Sequence, residues 1–127
     1  MAYITVISTL RHAQTVYGPL KKYAGTIDVP LSRFGREDTR QASKVLSDSD
    51  FDVIITSTLR RSKETARILL GKNRRMLENP LCNERNYGIL EGVKCSEVKK
   101  VRPRVLFIKV GNDKHSVNPL GVSLLRM

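Results

Sequence analysis

Two short β-branched runs constrain this chain most. Tyr3-Ile4-Thr5-Val6-Ile7-Ser8 alternates and reads as a buried strand. Phe51-Asp52-Val53-Ile54-Ile55-Thr56-Ser57 is the clearest strand in the chain. Basic residues follow each run, Arg11 after the first and Arg60-Arg61 after the second, and each leads on to a helical stretch. Strand–helix–strand–helix order argues for an α/β sheet with parallel central strands. It also puts Arg11-His12 and residues 57–61 at the C-terminal ends of two strands. Those ends share one rim, where open α/β sheets bind their ligands.

Local signals set the rest of the chain. Residues 15–30 form a Gly- and Pro-rich loop, long enough for so small a domain to suggest a function. Ser32 is placed to N-cap a helix over 33–46, with Ala42, Val45 and Leu46 as its apolar stripe. Gly35 sits in its first turn, where close backbone approach outweighs propensity. Residues 47–50 read as a polar turn. Ser57 or Thr58 is placed to cap a second helix over 59–70, with Ala66, Leu69 and Leu70 inward and Gly71 as its C-cap. A short edge strand is expected within 74–81, a Gly-punctuated loop over 84–92 and a short helix over 96–102. Residues 105–110 are ambiguous between helix and strand, and 112–121 read as a loop.

Length and charge narrow the field. A chain of 127 residues fits one domain, since domains cluster near ~100–150 residues. No apolar run approaches the ~18 residues of a membrane span, so a membrane partner is not expected. Cys82 and Cys95 fit neither a disulfide framework nor a metal motif, which suits reduced thiols and a cytoplasmic location. The net charge is +11, and residues 60–127 hold 16 basic against 6 acidic side chains. Such a field attracts anions, either nucleic acid or a phosphorylated metabolite. Aromatics interleaved with the basic residues would favour nucleic acid, but there is no Trp and the Tyr and Phe residues are scattered. At the rim, a histidine can act as a covalent nucleophile and a neighbouring arginine can clamp anionic oxygens.

Four separated segments then line up: Leu10-Arg11-His12-Ala13-Gln14-Thr15; Gly25-Thr26-Ile27-Asp28-Val29-Pro30-Leu31-Ser32 with Gly35; Thr56-Ser57-Thr58-Leu59-Arg60-Arg61 with Glu64-Thr65-Ala66; and Asn83-Glu84-Arg85-Asn86-Tyr87-Gly88 with Glu91-Gly92. In this order the chain resembles the histidine phosphatase superfamily, and within it the cofactor-dependent phosphoglycerate mutases. The resemblance implies that His12 becomes phosphohistidine, that Arg11 and Arg61 grip the phosphoryl oxygens, and that Glu84 protonates the leaving oxygen. Phosphoryl transfer needs an in-line nucleophile and cations on the equatorial oxygens, so no metal is implied. A carboxylic acid that donates near pH 7 needs a pKa raised by burial or by a nearby anion. Thr15, Ala24, Gly25, Thr26, Arg85 and Tyr87 match positions that bind the rest of the substrate. If the chain is a mutase, a bisphosphorylated primer such as 2,3-bisphosphoglycerate is implied.

Several positions depart from the family pattern. Ala13 replaces a Gly, Gln14 a Glu, Gly18 a substrate-binding Asn and Cys95 a substrate-binding Lys. Residues 118–124 resemble a Pro-x-Gly-Glu-Ser-Leu segment, with Val122 in place of the Glu. Family members continue with a helix, a central strand and a second catalytic His. His115, the other histidine here, precedes that segment and reads as a solvated loop residue.

The expectation is one phosphoglycerate mutase-like domain over 1–127, shortened at its C-terminus. Its fold would be an incomplete α/β one, a mainly parallel sheet flanked by helices. It would transfer or hydrolyse phosphoryl groups on a small phosphorylated metabolite, with turnover impaired by the shortening. Homodimerisation or pairing with a longer family member is expected from unpaired sheet edges. The rival readings are a non-catalytic anion- or partner-binding isoform and a basic nucleic-acid-binding protein.

Overall fold

In the computed structural model, residues 1–48 and 50–101 are described in full and residues 106–110 and 113–117 by their backbone. The elements run α1 (Arg33–Leu46), β1 (Ile55–Thr56), α2 (Arg60–Leu70), β2 (Leu77–Glu78), α3 (Val98–Val101), β3 (Leu106–Val110) and β4 (Asp113–Val117). Short 3-10 turns lie at Pro80–Cys82, Gly88–Leu90 and Cys95–Glu97. β1 and β2 pair in parallel, with Ile55 opposite Leu77, while β3 and β4 form an antiparallel hairpin. The architecture is α/β, with helices around a small parallel sheet.

Both main helices start and stop where their local chemistry dictates. The Ser32 side chain accepts the Gly35 N–H at 2.9 Å and caps α1. Gly35 is buried at the crossing with the segment after His12, and a Cβ there would collide with the Gln14 carbonyl oxygen. α2 has no side-chain cap from its own N-cap residue, Leu59. Asp28, from the long loop, takes that role instead and accepts the Arg60 N–H at 2.5 Å. Ser57 Oγ accepts only the Leu59 N–H, at 3.3 Å. Gly71, at φ +88, ends α2 by donating its N–H to the Arg67 carbonyl at 3.1 Å.

The expected N-terminal strand does not form. Residues 3–8 make no ladder, and Tyr3, Ile4, Val6 and Ile7 are 81–90% exposed. β1 shrinks to two residues, because β2 on one side is its only partner among the described residues. A strand is stabilised by its neighbours, and a β-branched run without one stays unpaired. A cavity of ≈ 480 Å³ therefore opens between residues 8–12 and 51–56, lined on α2 by Thr65, Ala66, Leu69 and Leu70. The α1 stripe fails for the same reason: Ala42, Val45 and Leu46 are exposed, with no complete sheet to cover. α1 instead buries the small residues Gly35 and Thr39. α2 buries Arg61, Thr65 and Leu69, while Ala66 and Leu70 are half-buried.

Residues 106–110 resolve as strand, and the loop expected over 112–121 is corrected at 113–117, where β4 pairs with β3. Residues 49, 102–105, 111–112 and 118–127 and the His115 side chain lie outside the described residues, so the segment over 118–124 is not placed. The buried apolar side chains are Val29, Leu31, Leu59, Leu69, Leu90 and Val98. Four of these six belong to loop ends or short turns and the other two to α2 and α3, so the core sits under the loops and not under a broad sheet.

Candidate active site

His12 sits just before the point where the chain meets α2. The Ala13 N–H donates to Thr65 Oγ1 at 3.1 Å, and that hydroxyl donates to the Arg61 carbonyl at 2.9 Å. One turn of α2 thus fixes the histidine segment relative to Arg61. His12 is half-buried, and its Nδ1 lies 2.8 Å from the Ala13 carbonyl oxygen. A carbonyl only accepts, so Nδ1 carries the proton and Nε2 keeps its lone pair. Burial lowers the His12 pKa from its ordinary 6.5, and Arg61 and Arg11 lower it further. The Ala13 carbonyl and Glu84 pull the other way. The net direction keeps the ring neutral at pH 7, as a nitrogen nucleophile requires.

A pH dependence follows. The neutral ring persists below pH 6.5, so modification of His12 by an electrophilic reagent such as diethyl pyrocarbonate should hold its rate there. The rate should decline only as pH falls through the lowered pKa. An apparent pKa above 6.5 would contradict the burial. The linkage has the same sign: the unfolded chain binds the proton more readily, so His12 costs the fold stability as pH falls below 6.5.

Arg61 is 2% exposed. Its Nη1 donates to the Ile27 carbonyl at 3.0 Å and its Nη2 to the Gly25 carbonyl at 2.7 Å. Burial lowers its pKa, while Glu84, Asp28 and Glu91 oppose that shift. A guanidinium has five N–H donors, so three remain for a ligand. Arg11 is exposed, and its charge reaches both His12 and Arg61. Glu84 is exposed and accepts the Arg85 N–H at 3.0 Å. Burial, one of the two aids the acid role calls on, is therefore absent there.

The remaining positions fall into two groups. Ala24, Gly25 and Thr26 form a tight turn, with Gly25 at φ +54. Arg85 lies over the Tyr87 ring at 4.5 Å, and Tyr87 packs on Tyr23 with centroids 5.0 Å apart. Arg61 holds the turn through the Gly25 carbonyl, and its charge acts with those of Glu84, Glu91 and Arg11. Thr15 stands apart: it is buried, and it bridges to Leu31 beneath the loop.

Three carboxylates that sequence reasoning left without roles organise the loops. Asp28 caps α2. Glu64 accepts the Leu31 N–H at 2.8 Å and Arg36 at 3.0 Å. Burial would raise the Glu64 pKa, but those two contacts outweigh it and hold the carboxyl low. Glu91 accepts the N–H groups of Thr26 and Tyr87. Among the described residues no group of three or more His, Cys, Asp or Glu could hold a metal ion.

The histidine phosphatase superfamily (branch 1) profile matches residues 7–125. A 2,3-bisphosphoglycerate-dependent phosphoglycerate mutase of Buchnera aphidicola subsp. Cinara cedri is 32% identical over 100 residues, 74% of this chain and 44% of that protein. An uncharacterized phosphatase of Bacillus subtilis, PhoE, is 31% identical over 105 residues, 79% of this chain and 52% of its own length. The structure of the alpha-ribazole phosphatase from Shigella flexneri superimposes with a TM-score of 0.70 at 26% identity, over 75% of this chain and 48% of that one. The chain spans about half the length of the curated relatives it matches. The match from residue 7 to 125 establishes that this chain belongs to the histidine phosphatase superfamily.

Proposed function

We propose that the chain transfers or hydrolyses the phosphoryl group of a small phosphorylated metabolite through a phosphohistidine at His12. One observation carries the reading: His12 is held neutral with Nδ1–H on the Ala13 carbonyl, leaving Nε2 free within the field of Arg11 and Arg61. Nε2 attacks phosphorus as the ester P–O bond breaks, and Glu84 gives its proton to the departing oxygen. Water then attacks the phosphohistidine in hydrolysis, with Glu84 accepting a proton in return. In a mutase an acceptor hydroxyl takes the place of water. Arg11 and Arg61 neutralise the equatorial oxygens, and Ala24, Gly25, Thr26, Arg85 and Tyr87 face the rest of the ester. Only on the mutase branch does a bisphosphorylated primer enter, as the donor that charges His12. The 127 residues act as one domain, and exposed free thiols at Cys82 and Cys95 suit the cytoplasm.

The uncovered ribbon over 3–8 and the bare edge of β1 favour association with a second copy or a longer family member. No second histidine is assigned to the phosphoryl oxygens here. One missing donor to the transition state costs ~10²–10³ in rate. Inorganic phosphate release, measured beside a full-length relative, should therefore be slower by about that factor. Sedimentation at low micromolar concentration should show self-association. A monodisperse monomer with the relative's turnover would contradict both parts.

A further inference from the structure

Thr26 belongs to the turn assigned to the substrate, yet its own donors are already engaged. Its N–H donates to Glu91 Oε1 at 2.6 Å, and its hydroxyl lies 2.8 Å from Oε1 and 2.9 Å from Oε2. The Tyr87 N–H donates to the same Oε1 at 3.2 Å. The fit is close: a Cβ on Gly25, at φ +54, would collide with Glu91 Oε1. Backbone and side-chain donors from two separate segments thus converge on one carboxylate. Such convergence is how a protein binds an anionic group of a ligand, and here the anion is its own.

We propose that Glu91 is a resident carboxylate that fills the position for a second anionic group and restricts this site to phosphomonoesters whose remaining part is uncharged. The proposal rests on the assignment of His12 as the phosphoryl acceptor. A substrate bearing a carboxylate or a second phosphate finds the Thr26 and Tyr87 donors taken and faces a like charge. A substrate bearing a hydroxyl meets an acceptor, since Glu91 has lone pairs left after these contacts. Nearby cations do not reverse this. Arg61 donates to the Gly25 and Ile27 carbonyls, and Arg85 stacks on Tyr87. Glu91 is thus a specificity-determining residue, and it turns the site away from phosphoglycerate-like and bisphosphorylated esters.

Glycerol 3-phosphate and 3-phosphoglycerate differ in one place, a terminal hydroxymethyl against a carboxylate. Their dissociation constants, with orthophosphate as the probe of the His12 site alone, are measured by titration calorimetry on the full chain. The wild type should bind glycerol 3-phosphate at least about tenfold more tightly than 3-phosphoglycerate, from lost charge-assisted contacts and like-charge repulsion together. Glu91→Gln should bring the two esters within about twofold of each other, each read against the same variant's orthophosphate affinity. Glu91→Asp, which keeps the charge, should retain the preference. Orthophosphate binding without any preference in the wild type would overturn this proposal alone, whatever the variants do. A preference that survives intact in a folded Glu91→Gln would also overturn it. No binding of orthophosphate or of either ester would overturn the His12 assignment and this proposal with it.

Discussion

Arg61→Ala is expected to loosen the loop over 24–30 and to weaken binding of orthophosphate or vanadate by roughly 10- to 100-fold. The side chain is 2% exposed and holds that loop through the Gly25 and Ile27 carbonyls. Truncation leaves one buried and one half-buried acceptor unpaired, each costing ~1–3 kcal/mol. The expected stability loss is therefore about 2–6 kcal/mol, a large share of the ~5–15 kcal/mol that holds a domain together. Anion affinity should fall by a further ~1.5–3 kcal/mol if the three remaining N–H donors meet the phosphoryl oxygens. Arg61→Lys should separate the two effects. An ammonium can reach one carbonyl or supply charge to an anion, but it cannot reproduce the fork. It should recover part of the vanadate affinity and little of the stability. Denaturant midpoints and vanadate titrations on both variants check this. Unchanged vanadate affinity in folded Arg61→Lys and Arg61→Ala would place Arg61 outside the anion site and leave it a loop tether.

What the sequence made legible follows the range of the forces involved. α1 and the end of α2 were readable because Ser32 and Gly71 act on backbone groups within a few residues of themselves. The strand over 3–8 was misread because its alternation states only what it could pair with. Pairing is settled by distant chain, and here no ladder forms. The stripe of Ala42, Val45 and Leu46 failed with it, since an apolar helix face is buried only where there is a surface to cover. The β3–β4 pairing was not read because residues 105–110 suit helix and strand alike until a partner strand is known.

The site was more legible than the sheet. Arg11-His12, Arg61 and Glu84 stand in a recognisable order, and their charges act on one another in the folded chain. Asp28, Glu64 and Glu91 were opaque because their partners are largely main-chain N–H groups of distant residues. Backbone donors are present at nearly every residue, so no residue pattern announces which carboxylate will find them. Each lies in or beside a segment that already drew attention, but its role is fixed only by the fold. The family resemblance implies a substrate-binding Thr15; in the fold it is buried and bridged to Leu31.

The central claim is that Nε2 of His12 accepts a phosphoryl group. Covalent chemistry tests it more directly than turnover, because one phosphorylation per chain is visible even where hydrolysis is slow. The wild-type chain is incubated with phosphoramidate, and the product is mapped by mass spectrometry under alkaline conditions. The account predicts one acid-labile, alkali-stable phosphohistidine at His12. It predicts none in His12→Ala, and none at His115 in either protein. Phosphorylation that persists in His12→Ala, or a wild-type label confined to His115, would contradict the account.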